Sequence, residues 1–249
     1  MQNNLIVIIG SLRGGLSSFR STIKAVPGTY ALLVAKDADH PYWYKHARYD
    51  WSFQDPSNWD TAFDDFGLTW RTCSDVPNQW LGPSAGQPGS AGILLWCRRA
   101  LESLVSNLAY DNLVILRSDC LWASLLPDGS DSILVPDGEH YGGITDRTTI
   151  IPWGLLPDYF SAIRRLWEDS TLKDDLLPLA PLNLERFLAY SLRKLPLKFF
   201  PWNTVCIRAL GDSTRWAKGV WCPRLQKVIK YQSEYNTVCR NYGDDWRPL

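Results

Sequence analysis

Apolar residues come in two kinds of run along this chain. The short continuous blocks LIVIIG (5–10), YALLVAKD (30–37) and the LVIL core of NLVILRSDCLW (112–122) have the length and β-branched content of strands buried on both faces. Elsewhere the apolar positions recur at helical spacing. Leu16, Phe19, Ile23 and Val26 form one such stripe, ended by Pro27-Gly28. Leu94, Cys97, Leu101, Leu104, Val105 and Leu108 form a second, with Arg98, Arg99 and Glu102 off that face. Leu156, Tyr159, Phe160, Ile163, Leu166 and Trp167 make a third. A fourth runs through Leu184, Phe187, Leu188, Leu192 and Leu195, with Asn183 as its cap and Pro196 as its stop.

Strand, helix, strand within the first 37 residues is a βαβ opening, whose crossover is right-handed in a parallel sheet. SILV (132–135), TTII (148–151), LKFF (197–200) and TVCIRAL (204–210) predict further strands. Residues 40–90, rich in Trp, Asp, Pro, Asn and Gly, predict loops with short elements. The expected fold class is therefore α/β, with a mostly parallel central sheet flanked by helices. Nothing between 1 and 249 looks like a linker, so one domain is expected.

Charge and cysteines narrow the partners. Twenty-six Lys plus Arg balance twenty-six Asp plus Glu, which argues against nucleic acid. The apolar run at the N-terminus is too short for a signal peptide, and no stretch approaches the ~20 apolar residues of a membrane span. Cys73, Cys97, Cys120, Cys206, Cys222 and Cys239 are scattered without a C-x-x-C pair, so reduced thiols and a cytoplasmic protein are expected.

Candidate chemistry clusters at strand ends. ILRSDC (115–120) puts Asp119 just beyond a fully apolar strand, where open α/β sheets bind ligands. Asp119 there suits Mg²⁺ or Mn²⁺, with Arg117 or Ser118 at a diphosphate or ribose; otherwise it is a turn or cap aspartate. GSLRGG (10–15) supplies backbone N–H groups at a helix start, with Arg13 as a phosphate fork, or it is only a tight connection. In YGGITDR (141–147), Asp146 either serves an acceptor hydroxyl or holds its loop through an Asp–Arg pair. Glu185 is a second candidate base, in a place where a carboxylate also meets a helix dipole. Trp43, Trp51 and Trp59 are candidate sugar-stacking rings, or core. The three histidines show no metal spacing, and there is no G-x-S-x-G elbow and no P-loop.

A strand, a short S-x-x-R loop and a later apolar strand ending in R-[ST]-D together resemble nucleotide-sugar glycosyltransferases of the GT-A type, with a Rossmann-like sheet. The sequence is similar to divergent transferases of bacterial polysaccharide loci and large algal viruses such as the chloroviruses. The resemblance implies a nucleotide-binding half (1–122) followed by an acceptor-binding half (123–249). IIGSLRGG, with Gly10, Ser11 and Arg13, would cradle the nucleotide diphosphate. Asp119 would match the last carboxylate of a D-x-D metal motif, whose first position is here Arg117, and Asp146 would lie in the sugar pocket. The implied partners are a nucleoside diphosphate sugar and a glycan acceptor, with Mn²⁺ or Mg²⁺ as cofactor. A non-catalytic carbohydrate-binding protein on the same scaffold is the rival; a nucleotidyltransferase would carry a Gly-rich signature with a lysine, absent here.

Overall fold

The computed structural model describes residues 2–56, 58–73, 90–138, 140–208 and 219–249. Trp80 and the whole 209–218 stretch, including Trp216 and the end of TVCIRAL, lie outside these. In chain order the described strands are β1 (Asn4–Gly10), β2 (Thr29–Val34), β3 (Tyr49–Asp50), β4 (Asn112–Leu116), β5 (Cys120–Trp122), β6 (Ile133–Asp137), β7 (Thr148–Pro152), β8 (Leu197–Pro201), β9 (Thr204–Arg208), β10 (Val220–Cys222) and β11 (Lys227–Ile229). The helices are α1 (Gly15–Ala25), α2 (Pro41–His46), α3 (Trp59–Asp64), α4 (Trp70–Cys73), α5 (Ser90–Val105), α6 (Leu156–Glu168), α7 (Leu172–Leu176), α8 (Leu184–Leu192) and α9 (Gln232–Tyr242).

The central sheet has the order β3-β2-β1-β4-β7-β6-β8, and β7 alone opposes its neighbours, so the sheet is mostly parallel as expected. Alternation along each strand explains why the blocks are apolar throughout. Leu5, Val7 and Ile9 of β1, with Leu113 and Ile115 of β4, join the core beneath α3, α5, α6 and α8. Ile6, Ile8, Val114 and Leu116 face the opposite way, into a core shared with Trp43 and Trp122. A second sheet, β10-β11-β9-β5, extends from the first and packs its own small core against α9.

Three readings of the pattern change here. Of the stripe Leu16, Phe19, Ile23 and Val26, Val26 is buried and Phe19 and Ile23 pack half-buried on the core, but Leu16 is exposed, and the fully buried residues within helix α1 are Ser18, Ser21, Thr22 and Ala25. Small hydroxyl residues let the helix lie close on β5, and they are satisfied there. Ser21 Oγ accepts the Trp122 amide at 2.8 Å, and Thr22 Oγ1 accepts the Trp122 indole at 3.2 Å. Arg98, placed off the buried face of α5, is in fact 0% exposed. Trp43 and Trp59 are core residues at 0% and 6% exposure, so neither offers a face to a sugar. Trp43 packs edge-on against Phe19, while the half-buried Trp51 stacks on Tyr49 at 5.4 Å. The Asn183 cap is as expected, its side chain accepting from the Arg186 amide at 2.8 Å.

Trp43→Ala is expected to cost ~3–5 kcal/mol in denaturant unfolding, the range for emptying a buried aromatic site. A change under ~1 kcal/mol would return Trp43 to the surface.

Candidate functional site

Strand order reverses between β1 and β4, the position where doubly wound sheets open a crevice. As parallel neighbours these strands deliver Gly10-Ser11 and Arg117-Ser118-Asp119 to one edge. Ser118 ties the two loops together: its Oγ accepts from the Arg13 amide at 2.8 Å and donates to the Ser11 carbonyl at 3.1 Å. At 1% exposure Ser118 is a staple of the glycine turn. Gly14 sits at φ +77°, where an added Cβ would meet Ser18 Oγ at 2.5 Å and the Asp119 Cα at 3.0 Å, so only glycine allows this approach. Gly15 faces open space.

Because β7 runs antiparallel to β4, with Thr148 opposite Leu116, its N-terminal end lies at this same edge. That geometry brings Asp146 and Arg147 beside Arg117. Arg117 Nη1 is 3.4 Å from Asp146 Oδ2, and its Nη2 is 3.2 Å from Asp119 Oδ2. Arg208, at the end of β9, reaches the same Asp119 oxygen at 3.1 Å. Arg147 pairs with Glu234 of α9 at 2.9 Å and lies over the Tyr231 ring. The other Glu234 oxygen accepts the Cys206 amide at 2.8 Å. Arg98 donates to the Asp146 carbonyl at 3.3 Å. Half-buried Lys230 has its Nζ over Tyr231 as well. The glycines of YGGITDR serve packing within the chain: a Cβ on Gly143 would fall 2.0 Å from the Glu185 carbonyl.

The electrostatics follow from this crowding. Burial works against charge on Asp119 and Asp146, but the surrounding cations, Arg117 first and then Arg147, outweigh it and hold both carboxyls below their usual range. Burial and then the neighbouring Arg117 and Arg147 push the Lys230 ammonium down. Glu185 behaves oppositely. Burial, then the nearby Asp146 charge, pushes its carboxyl up to about 7. Arg98, Arg117, Arg147, Arg208 and Lys230 face Asp119, Asp146 and Glu234, an excess of positive charge. Among the described residues, the Nε atoms of Arg98, Arg147 and Arg208 are buried without a hydrogen-bond partner. Such a site favours an anion.

Asp119 Oδ, Cys120 Sγ and Cys206 Sγ lie within 4.8 Å of one another, a set of possible metal donors. It does not suit Mg²⁺ or Mn²⁺: two of the donors are soft sulfurs, and the Asp119 carboxylate is already paired through Oδ2 with two guanidinium groups. Asp119 was expected to face water as a ligand carboxylate; at 2% exposure it is instead a buried counter-ion. Arg208, Lys230 and Glu234 were not anticipated. The signals for them were an arginine closing the apolar run TVCIR, the basic, aromatic tail, and the segment IKYQSEY (229–235), to which no role was assigned.

At the same edge, past β2 and β3, a cleft of about 480 Å³ is lined by Lys36, Asp37, Pro41, Tyr44, Lys45 and Asp50. Asp37 accepts from His40 there at 2.9 Å.

No family model matches the chain, and no curated protein matches its sequence. The fold is similar to mouse xyloside xylosyltransferase 1 in its apo form, at 9% identity over 80% of this chain and 85% of that one, with a TM-score of 0.42. It is also similar to the apo glycosyltransferase GlyE of Streptococcus pneumoniae TIGR4, at 9% identity and a TM-score of 0.34. That match takes in 80% of this chain and 45% of the other. Among the described residues no helix is long and apolar enough to cross a membrane.

Two outcomes are expected. Asp119→Ala leaves Arg117 and Arg208 without their shared carboxylate, and should destabilise the protein by ~3–5 kcal/mol in chemical denaturation. A loss below ~1 kcal/mol would mean that the two arginines find water instead. Glu185 has a raised folded-state value, so its contribution to stability is full below 4.5 and is lost as pH rises through about 7. Glu185→Gln should therefore gain stability relative to the parent as pH rises through that window; a pH-independent difference would contradict the burial of this carboxyl.

Proposed function

We propose that this chain is a GT-A-like glycosyltransferase that moves a sugar from a nucleoside diphosphate donor to a glycan hydroxyl. The observation that carries the reading is the excess of cations gathered at the switch point of the sheet, beneath a glycine turn that opens a helix. A diphosphate is the anion such an arrangement suits: it needs charge neutralised at its bridging and terminal oxygens, and backbone N–H groups at a helix start add to that. Among the described residues, Arg117, at 12% side-chain exposure, and half-buried Lys230 are cations that a ligand can reach. Arg208 and Arg147 lie deeper, where they offset the buried carboxylates. The cleft by Tyr44 offers room for the nucleoside, next to the turn that would hold the phosphates.

In the reaction, the acceptor oxygen bonds to the anomeric carbon as the bond from that carbon to the diphosphate oxygen breaks. The acceptor proton goes to a base, and the leaving diphosphate takes the negative charge to Arg117, Arg13 and Lys230. Of the two candidate bases, Glu185 is the better suited. Its carboxyl is held near neutral pH, where a general base is most effective. Asp146 is buried, paired with Arg117 and held as a weak base. A base in this role makes the reaction inverting. Because Trp43 and Trp59 are core, half-buried Trp51 is the one ring of the three left to face an acceptor.

A divalent cation is the conventional aid to such a leaving group. Here Mn²⁺ or Mg²⁺ at Asp119 would first have to separate that carboxylate from Arg117 and Arg208, so the arginines and Lys230 are assigned the neutralising role.

Nucleoside diphosphates at millimolar concentration should raise the melting temperature in the presence of a chelator. A rise seen only when Mn²⁺ is added would assign the neutralising charge to the metal, and no rise under either condition would remove the donor site. With a competent donor and acceptor, kcat of the parent should climb with pH through about 7. Glu185→Gln should lower kcat by ~10²–10⁴ with little change in donor KM, the usual range for losing a general base. An unaltered kcat would strike Glu185 from the mechanism.

A further inference from the structure

Cys120 and Cys206 are directly opposite one another in the β5–β9 ladder, with their sulfurs 3.7 Å apart. The local hydrogen bonding shows which kind of pair this is. The Cys206 amide donates to Glu234, and its carbonyl accepts from the Lys230 amide, both at 2.8 Å. Neither group points at β5. The adjacent Ile207 amide donates to the Asp119 carbonyl instead, at 2.8 Å. Cys120 and Cys206 are thus a non-hydrogen-bonded pair, the closer of the two antiparallel arrangements, with Cα atoms ~4.5 Å apart. That separation is within the ~4.4–6.8 Å a disulfide spans.

We propose that Cys120 and Cys206 form a peroxide-sensitive dithiol that closes reversibly to a cross-strand disulfide beneath the candidate site. One thiol of the pair, as its thiolate, takes an oxygen from hydrogen peroxide, giving a sulfenic acid and hydroxide. The other thiol then attacks the sulfenic sulfur, the S–S bond forms and water leaves. In sum, two thiols and one peroxide become one disulfide and two waters, and a small dithiol restores the pair. At 1% exposure each, the sulfurs admit an oxidant of the size of water in preference to a bulky disulfide.

The same three donors, Cys120, Cys206 and Asp119, would also face a soft metal ion. Oxidation is favoured because the Asp119 carboxylate is already paired through Oδ2 with Arg117 and Arg208, and these cations repel a dication.

The consequence for function rests on the reading of the site as a diphosphate site. Closing the sulfurs from 3.7 Å to a bond of ~2.05 Å turns both side chains, and the usual disulfide Cα separation of ~5.5–6 Å spreads β5 from β9. Asp119 adjoins Cys120 and Arg208 follows Cys206 by two residues, so the ion pair between them is disturbed.

The test treats reduced, full-length protein with hydrogen peroxide and maps the products by mass spectrometry. The expected result is a loss of two hydrogen atoms localised to a Cys120–Cys206 peptide and reversed by dithiothreitol. In Cys120→Ser and in Cys206→Ser no disulfide should form, and the remaining cysteine of the pair should instead gain an oxygen atom. No disulfide, a disulfide between other cysteines, or stoichiometric zinc released on denaturing the untreated protein would each overturn the proposal. The nucleoside diphosphate melting shift should be smaller in the oxidised protein than in the reduced one. An equal shift in the two forms would refute the link to the site. The absence of any shift in the reduced protein would count against the donor site, and the mass result would still decide the dithiol.

Discussion

One carboxylate oxygen organises the far end of this molecule. Asp119 Oδ2 accepts from Arg117, at the end of the central sheet, and from Arg208, at the end of β9. Those two strands belong to different sheets, so the shared oxygen is where the sheets are locked together. Its burial makes the arrangement demanding. A lone buried carboxylate costs several kcal/mol of desolvation, and so does a lone buried guanidinium, whereas breaking a pair leaves the survivor uncompensated. Each further charge is held by the same requirement. Asp146 answers Arg117, Glu234 answers Arg147, and Arg98 is brought under the Asp146 carbonyl. The site is thus a network in which cations exceed anions, and this excess is its chemically distinctive property.

Much of the scaffold was legible in the sequence because its strands are buried on both faces. A block such as LIVIIG has one physical explanation, and the parallel neighbours β1, β2 and β4 follow from it. The helices were less legible where their packing surface is not apolar. Helix α1 also turns Ser21 and Thr22 inward, where Trp122 bonds to both, so a search for an apolar stripe finds only part of its buried surface. Arg98 breaks the same rule, being a cation whose buried partner is a backbone carbonyl 48 residues away. The tryptophans of the 40–90 stretch failed for the opposite reason. Their composition suggested an exposed aromatic surface, but Trp43 and Trp59 fill the two faces of the sheet.

The candidate site was half legible. Arg117, Ser118, Asp119 and Asp146 do converge, since two of the three strand ends involved carry recognisable motifs. Arg208, Lys230 and Glu234 come from a region where no role could be read, and the pairing of β9 with β5 and β11 brings them in. Their absence from the sequence reading changed the chemistry expected of Asp119. With a free carboxylate at a strand end, a hard metal ion is the natural ligand. Once Arg208 is beside it, the carboxylate is already neutralised and the site turns toward anions.

The same network separates the two remaining carboxyls near the glycine-rich loop. Asp146 and Glu185 interact, and a negative charge on one raises the cost of charge on the other. Which of them gives way is decided by the cations. Asp146 has Arg117 at 3.4 Å and Arg147 at 4.0 Å, so it remains ionised despite burial. Glu185, on the first turn of α8, has the weaker help of those same arginines, and its carboxyl rises to about 7. Environments that push two acids apart in this way assign one to fixed charge and the other to proton transfer. The arginines that hold Asp146 ionised thereby also leave Glu185 able to gain and lose a proton near neutral pH. A change in the Arg117–Asp146 pair would consequently be felt at Glu185 without touching it.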